Sequence, residues 1–493
     1  MKNTNSPVVD FLKNNIQFDK KAEIALYIQI SEQLIEAIQR GIIVKDSALP
    51  GTRVLSEILK INRNTAVAIY DELASQGWVE IKPNKGTFVL EKQSKKLALK
   101  ANLINKRIKT TGYSFQTSFH LAPTDEPNLA NYAINDGQPD LRLHPIHQFS
   151  KWYSASMKRK NLIAKWDKTN LFSNFEIQLT NYLNATRGFT INSKNIMNTR
   201  STEMSLYIIA QLLLKKDDVI LVGDLSNYAA NMIFQQVGSK IKTIKTDTFG
   251  LNIEQIEKLC KKEKIRCVYV CSNRHYPTTN SLSSERRLQL LALANQYKFA
   301  IIEDDYDYDF QFEGTAKLSL ASLDENGLVI YLGKLAQSLF PSFQTSFVVA
   351  PENLIKEAKN YLQILDKQGD LIQEQMLTEL IHEGEIHRLI KKNVIIYKIR
   401  LNLLCSLLDK HFKDILTYKK PNGGLAIWLE FNQKISLVKL ANEALKRDLH
   451  LPKKILYQDK NVCAIRFGFG QLNEEELEIV ITKLKEAYNV IIK

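Results

Sequence analysis

The chain has no run of apolar residues approaching the roughly 20 that cross a bilayer, so a membrane-spanning role is excluded. The segment Met1–Asp10 is polar and has no apolar stretch followed by a small-residue cleavage site. Nothing there marks the chain for secretion, and the expected location is the cytoplasm. Cysteine is scarce: Cys260, Cys267, Cys271, Cys405 and Cys463 are odd in number and scattered without metal-ligand spacing. They read as buried cytosolic thiols rather than a disulfide framework. A zinc site on Cys267 and Cys271 has only His275 close by and lacks further ligands. No solenoid-type repeat runs through the sequence, and His144, His147, His275, His382 and His387 form no triad with a serine or cysteine.

What is present is a 493-residue chain, 44% hydrophobic and 24% charged with both signs interspersed, long enough for two to four domains with real cores. Lys and Arg number 67 against 53 Asp and Glu, a balance of +14. Residues 1–110 hold 18 of those cations and 11 of those anions, so a balance of +7, half the excess, sits in under a quarter of the chain. That end is the place to look for a polyanionic partner.

The basic end resolves into elements. Leu26, Ile30, Leu34, Ile35 and Ile38 recur near helical spacing over Leu26–Gln39, and Gly41 closes that helix. Leu49-Pro50-Gly51-Thr52 reads as a turn opening a short helix over Arg53–Leu59. After the polar break Asn62-Arg63-Asn64 a third helix runs to about Gln76, with Ala66, Ile69, Tyr70 and Leu73 on one face. Two short strands, Trp78–Ile81 and Thr87–Leu90, flank a turn carrying Lys82 and Lys85. Three helices and a β-ribbon in this space predict a winged helix-turn-helix. In that arrangement the start of the second helix of the motif meets base edges while flanking groups grip phosphate. Arg63 suits a guanine or a phosphate, Asn64 an adenine, and Thr65 the backbone. Arg53 opens the preceding helix, and Lys85-Gly86 sits on the wing, where a small residue allows close approach to a groove. Between Glu91 and about Phe115, Lys92, Lys95, Lys96, Lys100, Lys106, Arg107 and Lys109 stand without apolar periodicity, which reads as a basic linker.

Further on, apolar runs such as Val219–Val222, Cys267–Cys271, Phe299–Ile302, Val329–Leu332 and Phe347–Ala350 alternate with helical stretches. Short apolar strands separated by helices predict an α/β domain with a mostly parallel sheet covered on both faces.

The stretch Ala25–Glu91, with Leu49-Pro50-Gly51-Thr52-Arg53, Arg63-Asn64-Thr65 and Gly86-Thr87-Phe88-Val89, resembles the winged-helix domain of the GntR family. The resemblance implies that Arg53, Arg63, Thr65 and Gly86 lie at the DNA. From Asn135-Asp136-Gly137-Gln138-Pro139-Asp140 onward the chain resembles the fold-type I aminotransferase domain of MocR-type regulators, a GntR subfamily in which that domain binds pyridoxal phosphate. Tyr276-Pro277-Thr278-Thr279, Ile302-Glu303-Asp304-Asp305-Tyr306, Tyr331-Leu332-Gly333, Leu339-Phe340-Pro341 and Arg466-Phe467-Gly468-Phe469 carry it. The implied domains are a winged helix over 20–91, a basic linker over 92–115 and an aminotransferase class I/II-like domain over 116–493, with an α+β small lobe over about 375–493.

Pyridoxal phosphate needs a lysine for the Schiff base, a carboxylate on the pyridinium proton and a clamp on the phosphate. Asp304 matches the ring-nitrogen partner, Tyr306 the phenol facing the ring oxygen, and Arg466 the arginine that grips a ligand α-carboxylate. Other positions depart from the pattern. Gln337 stands at the lysine position, and an amide is no nucleophile. Ala336 replaces the family serine, and Gln344 replaces the phosphate-gripping arginine. In Arg200-Ser201-Thr202-Glu203 a serine replaces the glycine of the phosphate turn and Glu203 adds a negative charge, while the ring-stacking tyrosine falls on Asn227 with Tyr228 one position late. Lys334, three residues before Gln337, is the nearby amine, its Cα up to roughly 10 Å from the lysine position. Glu303, Asp304, Asp305, Asp307 and Asp309 invite a metal reading, but on a strand end they alternate between faces.

Two functions are weighed. The first is a transcriptional regulator, a homodimer expected head-to-tail, which binds double-stranded operator DNA and whose degenerate aminotransferase-like domain dimerises and senses a small effector. The second is a pyridoxal phosphate-using aminotransferase or cofactor-responsive regulator. Gln337, Gln344 and Ala336 oppose the second.

Overall fold

A computed structural model describes residues 7–83, 85–90, 110–118, 121, 126–158, 171–314, 318–335, 345–367 and 369–492. The chain divides into two compact units, Met1–Thr117 and Ser118–Lys493. The cationic stretch Lys92–Lys109, with Gln337, Gln344 and Ala336, lies outside the described residues.

In the first unit the three expected helices form over Leu26–Gln39, Thr52–Leu59 and Arg63–Ser75. Helix Arg63–Ser75 begins where Asn62 accepts the Asn64 backbone N–H at 3.0 Å, a side-chain cap for an otherwise orphaned donor. It buries Ala66, Ile69, Tyr70 and Leu73, the four residues its periodicity selects. Each large apolar side chain so buried contributes roughly 1.5–3 kcal/mol. The short helix ends at Lys60, whose φ of 53° is left-handed and cannot continue it. Strands Val79–Lys82 and Gly86–Val89 pair antiparallel, Val79 opposite Val89 and Lys82 opposite Gly86.

Two features go beyond the sequence reading. Leu49, read as the start of a turn, forms with Ala48 a third strand paired antiparallel to Gly86–Val89. Two residues are too few to show a period of two, and pairing with a ready edge makes them a strand. Helix Pro7–Asn15 sends Val9 and Leu12 inward, Leu12 into the same core as Ile30, Leu34 and Leu55.

The second unit is built on a seven-stranded sheet in the order Ile196–Thr199, Thr345–Val349, Val329–Leu335, Ala300–Asp305, Ile265–Val270, Val219–Gly223, Lys240–Ile244. Strand Thr345–Val349 runs antiparallel to both neighbours and the other pairings are parallel. Helices Thr202–Leu213, Tyr228–Val237 and Glu352–Leu365 pack on one face around Met197, Ile302, Leu332 and Val348. Helices Ile253–Cys260 and Ser284–Tyr297 cover the other face around Leu221, Val268 and Ile301. Burial on both faces explains why these strands read as continuous apolar runs. A four-stranded antiparallel sheet, Leu416–Tyr418, Ala426–Phe431, Cys463–Gly468 and Leu456–Gln458, makes a smaller lobe with helices Glu385–Phe412, Leu437–Leu445 and Glu474–Ile491. This is the mixed α/β architecture, mostly parallel, that the strand spacing predicts.

Candidate functional site

The first unit presents its cations where two helices begin and where the hairpin turns. Arg53, second residue of helix Thr52–Leu59, is exposed, its Nε 3.6 Å from a Glu57 oxygen one turn on. Arg63 is the first residue of its helix, exposed, and makes no hydrogen bond or ion pair among the described residues. Asn64 is exposed beside it and Thr65 half-buried behind. Lys85 and Gly86 are exposed on the wing, the Lys85 N–H closing the turn onto the Lys82 carbonyl at 3.0 Å. Gly86 has a φ of +116° with only Phe88 within 4 Å of where a Cβ would stand, so backbone conformation rather than crowding selects glycine.

In the second unit Asp304 and its polar neighbours gather near the C-terminal ends of the parallel strands. Asp304, 3% exposed, accepts from Tyr269 Oη at 2.5 Å on one oxygen, while its Oδ1 has no partner. Burial pushes its carboxyl up to about 6, with Glu203 and Asp305 adding to the shift and Tyr269 and Lys334 opposing it. Leu332 lies opposite Asp304 in the register, so Lys334, two residues on, shares its face. Such a diagonal neighbour on the adjacent strand is within reach of a long side chain. Lys334 is half-buried and its ammonium makes no hydrogen bond or ion pair among the described residues. Across the next strand it faces Ser346, whose hydroxyl lies 3.0 Å from that of Thr202 at the start of helix Thr202–Leu213. Ser201 caps this helix on Met204 N at 3.1 Å. Glu203 stands exposed in its first turn, and Arg200 is held by Asp366 at 2.5 Å and the Gly369 carbonyl at 3.0 Å.

Arg466, 2% exposed on strand Cys463–Gly468, donates from Nε to Asp136 at 2.7 Å, from Nη1 to the Pro277 carbonyl at 2.8 Å and from Nη2 to Tyr306 Oη at 3.3 Å. Its guanidinium lies 4.6 Å from the Tyr276 ring centre, and Tyr276 Oη donates to Asp136 at 2.9 Å. Burial opposes the charge on Arg466, but Tyr306, Asp136 and Tyr276 outweigh it and the net shift is upward. Tyr228 is half-buried at the head of helix Tyr228–Val237, and Asn227 caps that helix through Ala229 N at 3.0 Å.

Residues 146–484 match the family model of aminotransferase class I and II, and residues 26–89 that of bacterial regulatory proteins of the gntR family. The chain belongs to the aminotransferase class I and II family. Its gntR-type winged helix ahead of that domain gives it the architecture of MocR-type regulators. It is 24% identical to the probable rhizopine catabolism regulatory protein MocR of Rhizobium meliloti over 95% of each chain. An uncharacterized HTH-type transcriptional regulator of Bacillus subtilis (strain 168), YdfD, is 23% identical over 94% of this chain and 96% of that protein. Among solved structures, the multiple substrate aminotransferase from Thermococcus profundus superposes with a TM-score of 0.68 at 21% identity, over 74% of this chain and 93% of that one.

The aminotransferase fold family implies pyridoxal phosphate. Asp304, which the resemblance sets against the ring nitrogen, has an unpartnered buried oxygen. At the start of helix Thr202–Leu213 stand Ser201, Thr202 and Ser346, with Lys334 opposite Ser346 in the register and Arg200 turned to Asp366. The acidic run is dispersed: Glu303 accepts from Ser272 and from two backbone N–H groups at 2.9 Å, Asp305 from Asn273 and Tyr331, and Asp307 pairs with Arg274 at 2.7 Å. No group of three His, Cys, Asp or Glu among the described residues could hold a metal. His275 is buried, donates to the Leu225 carbonyl at 2.8 Å and has its pKa pushed down to about 4 by desolvation, so it is neutral near pH 7. Sequence reasoning passed over Tyr269 and Asp136 as site residues. Tyr269 shares a face with Cys267 on strand Ile265–Val270 and shows no signal beyond an apolar run, whereas Asp136 lies within the Asn135–Asp140 motif. Among the described residues no helix is long and apolar enough to cross a membrane.

Proposed function

We propose that this aminotransferase-family chain is a transcriptional regulator. Its winged helix binds operator DNA through Arg53, Arg63, Asn64, Thr65, Lys85 and Gly86, and its aminotransferase-like domain dimerises and senses a small effector without a covalently held cofactor. The observation that carries the DNA reading is the placement of Arg63 and Asn64, exposed at the first turn of a helix whose opposite face is fully committed to the core. Two such heads on a head-to-tail dimer would meet paired half-sites. Binding should fall steeply with salt, because each phosphate neutralised releases counterions. Failure to retard its own promoter fragment in a low-salt gel, or salt-independent binding, refutes the reading.

What supports the absence of a covalent cofactor is the chemistry of the anchoring positions. Gln337 carries an amide that cannot condense with an aldehyde, Gln344 has no charge for a phosphate, and Arg200 is already paired. The residues at the anchoring positions therefore do not fit pyridoxal phosphate held as in an aminotransferase, and no catalytic step is assigned.

One observation favours the second reading, a cofactor-binding regulator: Asp304 Oδ1 is unpartnered and Lys334 lies on its face. A visible spectrum with added pyridoxal phosphate, followed by borohydride reduction and peptide mass spectrometry, separates the two. The expected result is no protein-bound absorbance band and no adduct. A pyridoxyl group on Lys334 would replace the first reading of the pocket with the second.

A further inference from the structure

Arg466 is a buried fork of donors that the family resemblance assigns to a ligand carboxylate, and it is engaged from within. Each of its three nitrogens donates to a protein oxygen: Nε to Asp136, Nη1 to the Pro277 carbonyl and Nη2 to Tyr306. The Asp136 carboxylate is gripped on its other oxygen by Tyr276, whose hydroxyl lies 3.3 Å from that of Tyr457. The side chain of Arg466 is 3% exposed and that of Asp136 19% exposed, so the arginine is buried behind its carboxylate partner.

The segment that carries Asp136 is tied in place. Asn135 Oδ1 accepts from the backbone of Gly137 at 2.9 Å and of Gln138 at 3.0 Å, and its Nδ2 donates to Gln471 at 2.6 Å. Gly468, two residues from Arg466, donates its N–H to the Asn135 carbonyl at 3.0 Å. Gly137 has a φ of +91°, and a Cβ there would stand 3.2 Å from that of Ala426. Strand Cys463–Gly468 thus holds the backbone before Asp136 and the Asn135 side chain holds it after, so the ion pair is not a chance meeting of flexible side chains.

We propose that Asp136 is an internal ligand: its carboxylate takes the place on Arg466 that a ligand carboxylate would take, and so closes this arginine to free amino and keto acids. A second carboxylate entering beside Asp136 would add a negative charge next to the one already paired, and each guanidinium nitrogen already donates to a protein oxygen. The inference rests on reading the large domain as a ligand-sensing one.

The test is chemical rescue in the full chain. Asp136→Ala leaves Arg466 buried and unpaired and should melt lower than wild type by about 5 °C or more. Acetate, pyruvate or L-alanine, at ionic strength matched with chloride, should restore at least half of that loss. The same compounds should leave the wild type and the double variant Asp136→Ala/Arg466→Met unmoved. Should Asp136→Ala not fold, Asp136→Ser also removes the carboxylate and vacates its place on Arg466, and the same rescue is expected there. No rescue of either folded variant, or an equal response of the wild type, overturns the proposal. Promoter binding by the wild type is measured separately, so loss of the regulator reading and loss of this one are distinguishable.

Discussion

Arg63→Ala separates DNA contact from folding more cleanly than any other change on the winged helix. Arg63 is exposed and makes no hydrogen bond or ion pair among the described residues, so its removal breaks no contact of the fold. Its position is mildly unfavourable to the helix itself, because a cation at a helix N-terminus opposes the macrodipole by about 0.3–1 kcal/mol. The variant should therefore melt at or slightly above the wild-type temperature. On DNA the expected cost is about 1–3 kcal/mol, a loss of roughly 5- to 150-fold in affinity. Fluorescence anisotropy with a labelled promoter duplex over a salt series tells which contact is lost. A phosphate contact lowers the slope of log K against log salt by about one, whereas a base contact leaves the slope and relaxes sequence preference. Arg53→Ala, whose guanidinium is shared with Glu57 at 3.6 Å, should cost less. Wild-type affinity with an unchanged slope and unchanged sequence preference in the Arg63 variant refutes the assignment of this helix to the groove.

Three further outcomes follow from local geometry. Asn62→Ala removes the cap on Asn64 N and should cost about 1 kcal/mol in urea unfolding of the winged-helix transition; no change would mean that the cap is dispensable. Gly223→Ala places a Cβ 2.7 Å from the His275 ring and 2.8 Å from the Leu225 carbonyl, and should destabilise by about 1–3 kcal/mol. A wild-type melting temperature would show that His275 yields freely. Glu374 is pushed up to about 7 by burial, with the Asn198 hydrogen bond opposing and Glu176, Asp370 and Asp366 adding to it. Its folded value lies above the unfolded one near 4.5, so this stability is whole below about pH 4.5 and lost as pH rises through 7. Glu374→Gln should accordingly gain up to about 3 kcal/mol over wild type at pH 8 and nothing at pH 4, and a gain equal at both would refute the shift.

Much of the DNA-binding head was legible because its information is local. The face Ala66, Ile69, Tyr70, Leu73 follows from helical periodicity, and the wing from two short β-type runs around a turn. Strand Ala48–Leu49 was not, since its only cause is the edge of Gly86–Val89 that receives it. Helix Pro7–Asn15 has an apolar face too short for its periodicity to stand out among polar neighbours. In the large domain the strands were legible as apolar runs, because a parallel sheet buried on both faces leaves no alternation to mistake.

The pocket divides along the same line. Residue identity alone settles that position 337 holds an amide and position 344 a neutral side chain, and no fold can make either a Schiff-base amine or an arginine fork. Pairing belongs to the tertiary structure. Asp136 and Arg466 are 330 residues apart in the chain, Arg200 and Asp366 are 166 apart, and Tyr269 and Asp304 are 35 apart. Local sequence fixes periodicity, caps and turns, whose partners lie within a few residues. Which carboxylate neutralises which buried cation depends on the sheet and the small lobe that bring distant segments to one edge. The family pattern marked Arg466 as a ligand anchor, and only the assembled fold revealed the protein's own carboxylate already upon it.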